Sequence, residues 1–108
     1  MKSLRDPILQ RFLKDIGPVA HTIEAIYVFG SRATGRARPD SDYDLLVVAK
    51  DAFSLREKDF LYEIVMDVLL ETGRLVSLKI FPTPTFQRLR TLRTPFMQHV
   101  LTEGVKVG

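Results

Sequence analysis

The chain has 108 residues, 45% of them hydrophobic and 27% charged, which predicts one folded domain over residues 1–108 and leaves little room for a second core. It contains no cysteine, which excludes disulfides, thiolate zinc sites and a cysteine nucleophile and favours a reducing, cytoplasmic setting. A formal charge of +3 favours anionic partners without choosing among nucleotides, nucleic acid and acidic protein surfaces, and no apolar run is long enough to cross a bilayer.

The first third of the chain predicts a helix followed by a strand. Apolar residues recur at helical spacing from Arg5 to Ile16, and Gly17-Pro18 should end that helix. Residues Ala25 to Phe29 form a short, apolar, β-rich run that ends at Gly30. This run predicts a buried strand that enters a tight turn.

The middle of the chain predicts a polar loop, a strand and a long helix. After the loop over residues 31–41, the stretch Asp42 to Ala49 is acidic at its start and apolar on both faces beyond it. Ser54 and Glu57 have the spacing of a capping box, and apolar residues continue at helical spacing as far as Gly73.

The last third predicts a strand, two helices and a short edge strand. Leu75 to Phe81 alternates, with Ser77 and Lys79 on the face opposite the apolar residues. Helices should begin near Thr83 and at Thr94-Pro95, the second ending before Gly104, and Val105–Val107 could add an edge strand. The predicted fold class is therefore α/β (α+β), with a small mixed sheet flanked by helices.

Two devices for phosphate chemistry lie close together in this sequence. Gly30-Ser31 ends a strand, so the backbone N–H groups of the following turn and the Ser31 hydroxyl can receive phosphate oxygens. Asp42 and Asp44 are two residues apart on a strand, which places both carboxylates on one face, roughly 6–7 Å apart along the strand. Their mutual repulsion would be reversed by a divalent cation between them.

The carboxylate oxygens of Asp42 and Asp44 indicate which metal ion the site would bind. A few carboxylate oxygens, completed by phosphate and water, suit Mg²⁺ better than zinc or a fully caged calcium ion. Phosphoryl and nucleotidyl transfer mainly need in-line positioning and neutralisation of charge on the phosphate. The residues therefore predict a site that binds Mg²⁺ and phosphate and can support either transfer.

Gly-Ser, ten intervening residues and then Asp-x-Asp resemble the signature of the DNA polymerase beta nucleotidyltransferase superfamily. The likeness is to its minimal nucleotidyltransferase branch, commonly encoded beside HEPN proteins as antitoxin and toxin, and it covers essentially the whole chain. It implies the nucleotidyltransferase fold and transfer of AMP from ATP to a hydroxyl, often a tyrosine of the HEPN partner. By this resemblance Gly30 and Ser31 hold the triphosphate, while Asp42 and Asp44 are catalytic and bind Mg²⁺.

One departure from the family concerns the next strand. The family usually places a third carboxylate there, which helps to hold the metal that activates the acceptor, and Ser77 occupies that position in this chain. Nucleotide binding should therefore survive better than turnover. The alternative function is a binding module, an antitoxin that neutralises its partner by contact and retains only nucleotide binding.

Two basic residues are further candidates for the nucleotide site. Arg32 directly follows Ser31 and could clamp phosphate, whereas Arg36 and Arg38 more simply decorate the loop. Lys79 is in phase with Ser77 and could contact phosphate or replace some metal charge. The simpler interpretation of Lys79 is an exposed strand lysine that protects a sheet edge.

Two other motifs with similar spacing, a P-loop and an EF-hand, lack residues that their ligand binding requires. A P-loop over Gly30–Ala37 would have Arg36 in place of its lysine and Pro39 in the helix that should follow. An EF-hand from Asp40 would have Leu45 at its obligatory glycine. The sequence leaves the base preference, the acceptor and homo-oligomer formation open.

Overall fold

The fold is described by a computed structural model that covers residues 6–30 and 42–108. Within those ranges the strands are β1 Ile23–Phe29, β2 Tyr43–Ala49, β3 Val76–Pro82 and β4 Val105–Lys106. The α-helices are α1 Pro7–Asp15, α2 Leu55–Thr72, α3 Thr83–Leu92 and α4 Pro95–Glu103, and a 3-10 helix spans Gly17–Thr22.

The four strands form one mixed sheet in the order β3-β2-β1-β4. Strand β1 runs antiparallel to both β2 and β4, whereas β2 and β3 are parallel. The end of β1 therefore lies beside the beginnings of β2 and β3, at one end of the strands. The predicted fold class, a small mixed sheet flanked by helices, is confirmed.

Helices cover both faces of the sheet and divide the apolar side chains into two clusters. On one face, α1 and α2 pack Phe12, Leu61 and Val68 against Leu45 and Val47 of β2. On the opposite face, α3 and α4 contribute a second cluster that contains Phe86, Met97, Val100, Leu46 and Val48. Strand β2 is thus buried on both sides, which explains its almost continuous apolar sequence.

Most predicted element boundaries agree with the structure to within two residues. Helix α1 begins at Pro7 because Asp6 caps it, its carboxylate accepting the N–H groups of Ile8 and Leu9. The predicted capping box is confirmed, since Glu57 Oε1 accepts from the Ser54 N–H at 2.8 Å. Helix α1 ends at Asp15, so the predicted stop at Gly17-Pro18 is confirmed. The 3-10 helix over Gly17–Thr22 that follows was not predicted.

Strand β1 begins at Ile23, two residues before its predicted start. Its register with β2 extends from Ile23 opposite Ala49 to Phe29 opposite Asp44. Pairing with the long, buried β2 thus extends β1 beyond the apolar run. Among the helices of residues 6–30 and 42–108, none combines the length and apolarity needed to cross a membrane.

Candidate active site

The two predicted acidic residues lie where β2 begins. Asp42 immediately precedes the strand and is exposed, whereas Asp44 is its second residue and is partly buried. The remaining residues of β2 are buried. Asp44 is therefore the one charged side chain of β2, and it lies where β1 ends and β3 begins.

Gly30 lies against the Asp44 carboxylate. The Gly30 backbone has φ +73°, a left-handed conformation that favours glycine. A Cβ atom added to Gly30 would lie 2.5 Å from Asp44 Oδ2, which is too close for a non-bonded contact. A side chain at Gly30 would therefore displace this carboxylate from its position beside the residue that follows β1.

The Asp44 carboxyl has an unfavourable environment for its negative charge. Burial raises its pKa first, and the nearby Asp42 carboxylate raises it further, whereas Lys79 acts in the opposite direction. Burial disfavours an ionised carboxylate, and a like charge adds to that effect. A bound cation would relieve both contributions, which is the electrostatic property expected of a metal ligand.

Ser77 and Lys79 lie on the neighbouring strand. In the parallel pairing of β2 with β3, Ser77 is in register with Asp44 and Lys79 with Leu46. Because in-register residues project to the same face, the Ser77 hydroxyl stands beside Asp44 where a third acid would complete the set. Within residues 6–30 and 42–108, no group of three or more His, Asp or Glu residues is placed to hold a metal ion.

Lys79 combines features of both interpretations considered from the sequence. It is exposed and lies on β3, the strand at one edge of the sheet, as expected of a lysine that protects an edge. It is also close enough to Asp44 to lower the pKa of that carboxyl. Lys79 therefore adds positive potential to the site while it occupies the sheet edge.

Tyr43, between the two acids, points to the opposite face and is buried in the cluster beneath α1 and α2. Its hydroxyl donates a 2.7 Å hydrogen bond to Asp6 Oδ2. The bond to the cap of α1 was not predicted, although Asp6-Pro7 is a recognisable helix start. The bond ties the entrance of β2 to α1, and so fixes the strand that carries Asp44.

Two predicted phosphate-binding residues, Ser31 and Arg32, lie outside the described residues. The structure therefore brings together Gly30, Asp42, Asp44 and Lys79, with Ser77 beside Asp44. This arrangement places two carboxylates and one ammonium group where the end of β1 meets the starts of β2 and β3.

A family model described as polymerase beta nucleotidyltransferase matches residues 12–107. The chain belongs to this family. It is accordingly an enzyme of the nucleotidyltransferase class. A Methanocaldococcus jannaschii protein named as a protein adenylyltransferase is 30% identical to this nucleotidyltransferase over 101 residues, covering 93% of the chain and 95% of that protein.

Two solved structures share the fold of this nucleotidyltransferase. One from Sulfolobus solfataricus, titled as a nucleotidyltransferase, has a TM-score of 0.58 at 17% identity and covers 97% of this chain and 78% of its own. The other, titled as a toxin-antitoxin with AMP-PNP, has a TM-score of 0.54 at 23% identity, covering 94% and 70%. At these identities the likeness concerns the fold, which the nucleotidyltransferase reproduces over nearly its whole length.

Proposed function

We propose that this chain transfers AMP from ATP to a hydroxyl group of a partner protein, using Mg²⁺ held by Asp42 and Asp44. The observation that carries the proposal is the contact between Gly30 and Asp44, which places a carboxylate against the turn that leads into Ser31. The name of the archaeal relative, a protein adenylyltransferase, supports the choice of AMP and of a protein acceptor.

The acidic pair suits a divalent metal on chemical grounds. Two carboxylates at one strand entrance offer hard oxygen ligands, and the raised pKa of the Asp44 carboxyl marks a charge that lacks compensation. When bound, Mg²⁺ neutralises charge on the triphosphate and polarises the phosphorus that the acceptor attacks. Asp42, being exposed, is accessible to a metal that arrives with the nucleotide.

The remaining site residues have roles in holding the triphosphate. Gly30 allows close approach of backbone to phosphate, Ser31 supplies a hydroxyl, and Arg32 supplies a guanidinium that can bind two phosphate oxygens. Lys79 contributes positive charge from the β3 side of the site. These groups would orient the α-phosphate toward the acceptor, while the pyrophosphate leaves.

The partner in this proposal is a toxin, and the transfer makes the chain an antitoxin. A similar fold in a toxin-antitoxin structure with AMP-PNP supports both a nucleotide and a toxin partner. Its assignment as a HEPN protein rests on the family resemblance of Gly30-Ser31 and Asp42-x-Asp44. A cysteine-free chain that uses ATP suits the cytoplasm, where ATP is abundant and thiols stay reduced.

The test is to incubate the chain with ATP, Mg²⁺ and the protein encoded beside it, and to measure intact masses. We expect one AMP added to the neighbour, and loss of that adduct with EDTA or with Asp44→Asn. The matched control is Asp51→Asn, which removes an exposed acid from the turn after β2 and should leave transfer unchanged. Transfer that persists in Asp44→Asn would exclude the proposed metal site.

Ser77 favours one second candidate, a contact antitoxin that binds nucleotide without transferring it. The register of Ser77 with Asp44 leaves a hydroxyl where the family usually has the third acid. Neutralisation of the partner's activity without any adduct, and unchanged by Asp44→Asn, would favour this candidate. An adduct that is required for neutralisation would exclude it.

A further inference from the structure

Helix α2 exposes a row of apolar side chains on the side that faces away from the sheet. The row consists of Tyr62, Met66 and Leu70, with exposed fractions of 40, 50 and 78%. We call these three residues the outer ridge. The residues with which α2 packs on the sheet lie on the other side of the helix, and they are Leu61, Ile64, Val65 and Val68.

The outer ridge has the geometry of a helix contact. Tyr62, Met66 and Leu70 are spaced four residues apart, so they form one of the rows that interlock when two helices pack together. From Tyr62 to Leu70 the ridge is roughly 12 Å long at the rise of an α-helix, and Lys58, four residues before Tyr62, ends the apolar row. Exposed apolar residues arranged in a continuous row, rather than singly, mark an interaction surface.

Acidic residues lie along one side of the outer ridge. Asp59, Glu63 and Asp67 repeat at the same four-residue spacing, and with Tyr62 and Met66 they line an open groove of about 510 Å³. Glu71 continues the acidic row, but it is paired with Arg11 of α1 at 2.6 Å. Asp59, Glu63 and Asp67 therefore form the acidic border that a ligand of the ridge would meet.

The negative charge beside the outer ridge indicates what kind of partner can bind there. Helix α2 carries five acidic and two basic residues, although the whole chain is basic. An anionic membrane surface would be repelled by the acidic border. A second copy packed antiparallel through the same ridge would bring two acidic borders to the same side, where like charges oppose pairing.

We infer that the outer ridge and its acidic border dock an amphipathic helix of another protein, one that carries lysine or arginine beside its apolar row. Helix α2 and Asp44 lie on opposite faces of the sheet, since α2 packs against Leu45 and Val47 and Asp44 alternates with them along β2. Docking there therefore does not cover Asp44. The inference does not depend on nucleotide transfer.

The test uses a synthetic peptide of about 18 residues, five helical turns, with leucine at core-facing helical positions and lysine elsewhere. Its counterpart carries glutamate in place of lysine. We expect the lysine peptide to bind and to shift NMR signals of exposed α2 residues, and the glutamate peptide to bind at least roughly tenfold more weakly. Adding salt should weaken binding of the lysine peptide.

Variants test whether peptide binding is specific to the outer ridge or occurs at any exposed apolar side chain. Met66→Ser should weaken binding of the lysine peptide by roughly tenfold, whereas Leu92→Ser should not, although Leu92 is 62% exposed on α3. The double variant Glu63→Lys with Asp67→Lys should instead prefer the glutamate peptide. All these positions are exposed, and unchanged thermal unfolding serves as the folding control.

Several results would overturn the inference. They are equal affinity for the two peptides, equal loss in Met66→Ser and Leu92→Ser, and NMR shifts centred outside α2. Sedimentation of the chain alone provides the remaining check, because a dimer that Met66→Ser dissociates would assign the outer ridge to a second copy. None of these outcomes reports on AMP transfer, so failure here and failure of the proposed function are distinguishable.

Discussion

Gly30 and Asp44 contact each other so closely that a single added carbon would separate them. A Cβ on Gly30 would lie 2.5 Å from Asp44 Oδ2 and 3.4 Å from its Cγ. The glycine that follows β1 thus leaves the space that the carboxylate at the start of β2 occupies. A side chain at position 30 would therefore move the candidate metal ligand.

Gly30→Ala should abolish Mg²⁺-dependent ATP binding while the protein still folds. The added methyl group must displace the Asp44 carboxylate, and the left-handed backbone adds roughly 1 kcal/mol of strain. Gly73→Ala is the matched control, since Gly73 has the same φ of +73° with nothing within 4 Å of the added carbon. Calorimetry should show binding lost in Gly30→Ala and retained in Gly73→Ala, and equal binding by both would contradict the proposed site.

Asp44→Asn should stabilise the metal-free protein and weaken binding of Mg²⁺ and ATP by roughly tenfold or more. The pKa of the Asp44 carboxyl is raised in the folded state, chiefly by burial and then by Asp42, so its ionisation opposes folding. This penalty is absent in acid, where the group is protonated in both states, and is complete once the pH exceeds the raised pKa.

In EDTA, the melting temperature of Asp44→Asn should therefore exceed that of the unmodified protein, and the difference should grow as the pH rises from about 4 to 7. Asp42→Asn should act in the same direction, because it removes the like charge. Asp51→Asn serves as control. If Asp44→Asn instead melts below the unmodified protein at pH 7, hydrogen bonds accepted by the Asp44 carboxylate would stabilise the fold by more than its partly buried charge destabilises it.

Ser77→Asp should increase AMP transfer, by roughly tenfold or more if the third acid completes a metal site. The new carboxylate would stand in register with Asp44, and without metal it would add repulsion and lower the melting temperature. Ser77→Asn, similar in size but uncharged, is the control. Lower stability in EDTA together with no gain in transfer would mean that the missing acid does not limit this enzyme.

Lys79→Met should weaken ATP binding by roughly fivefold, since an exposed charge contact contributes at most about 1 kcal/mol. Loss of the ammonium should also raise the pKa of the Asp44 carboxyl, which Lys79 lowers. Lys106→Met, an exposed lysine on β4 at the other edge of the sheet, is the control. Equal effects of the two substitutions would assign Lys79 to edge protection and general charge alone.

The pattern of apolar residues indicated most of the helices and strands because each is specified mainly by residues close together in the sequence. The capping box at Ser54 and Glu57, the apolar β2 and the alternation of β3 all depend on residues close in sequence. The 3-10 turn at Gly17–Thr22 and the early start of β1 were missed, since the turn has no apolar period and the extra β1 pairing depends on β2.

The sequence by itself determined which residues are candidates for the chemistry, because Gly30-Ser31 and Asp42-x-Asp44 are short-range patterns whose meaning lies in residue type and spacing. Only the tertiary structure decided that Gly30 touches Asp44, that Ser77 stands beside it and that Tyr43 anchors β2 to Asp6. It also decided that α2 leaves an apolar ridge uncovered. These relationships join residues distant along the chain, and strand register and helix packing fix them.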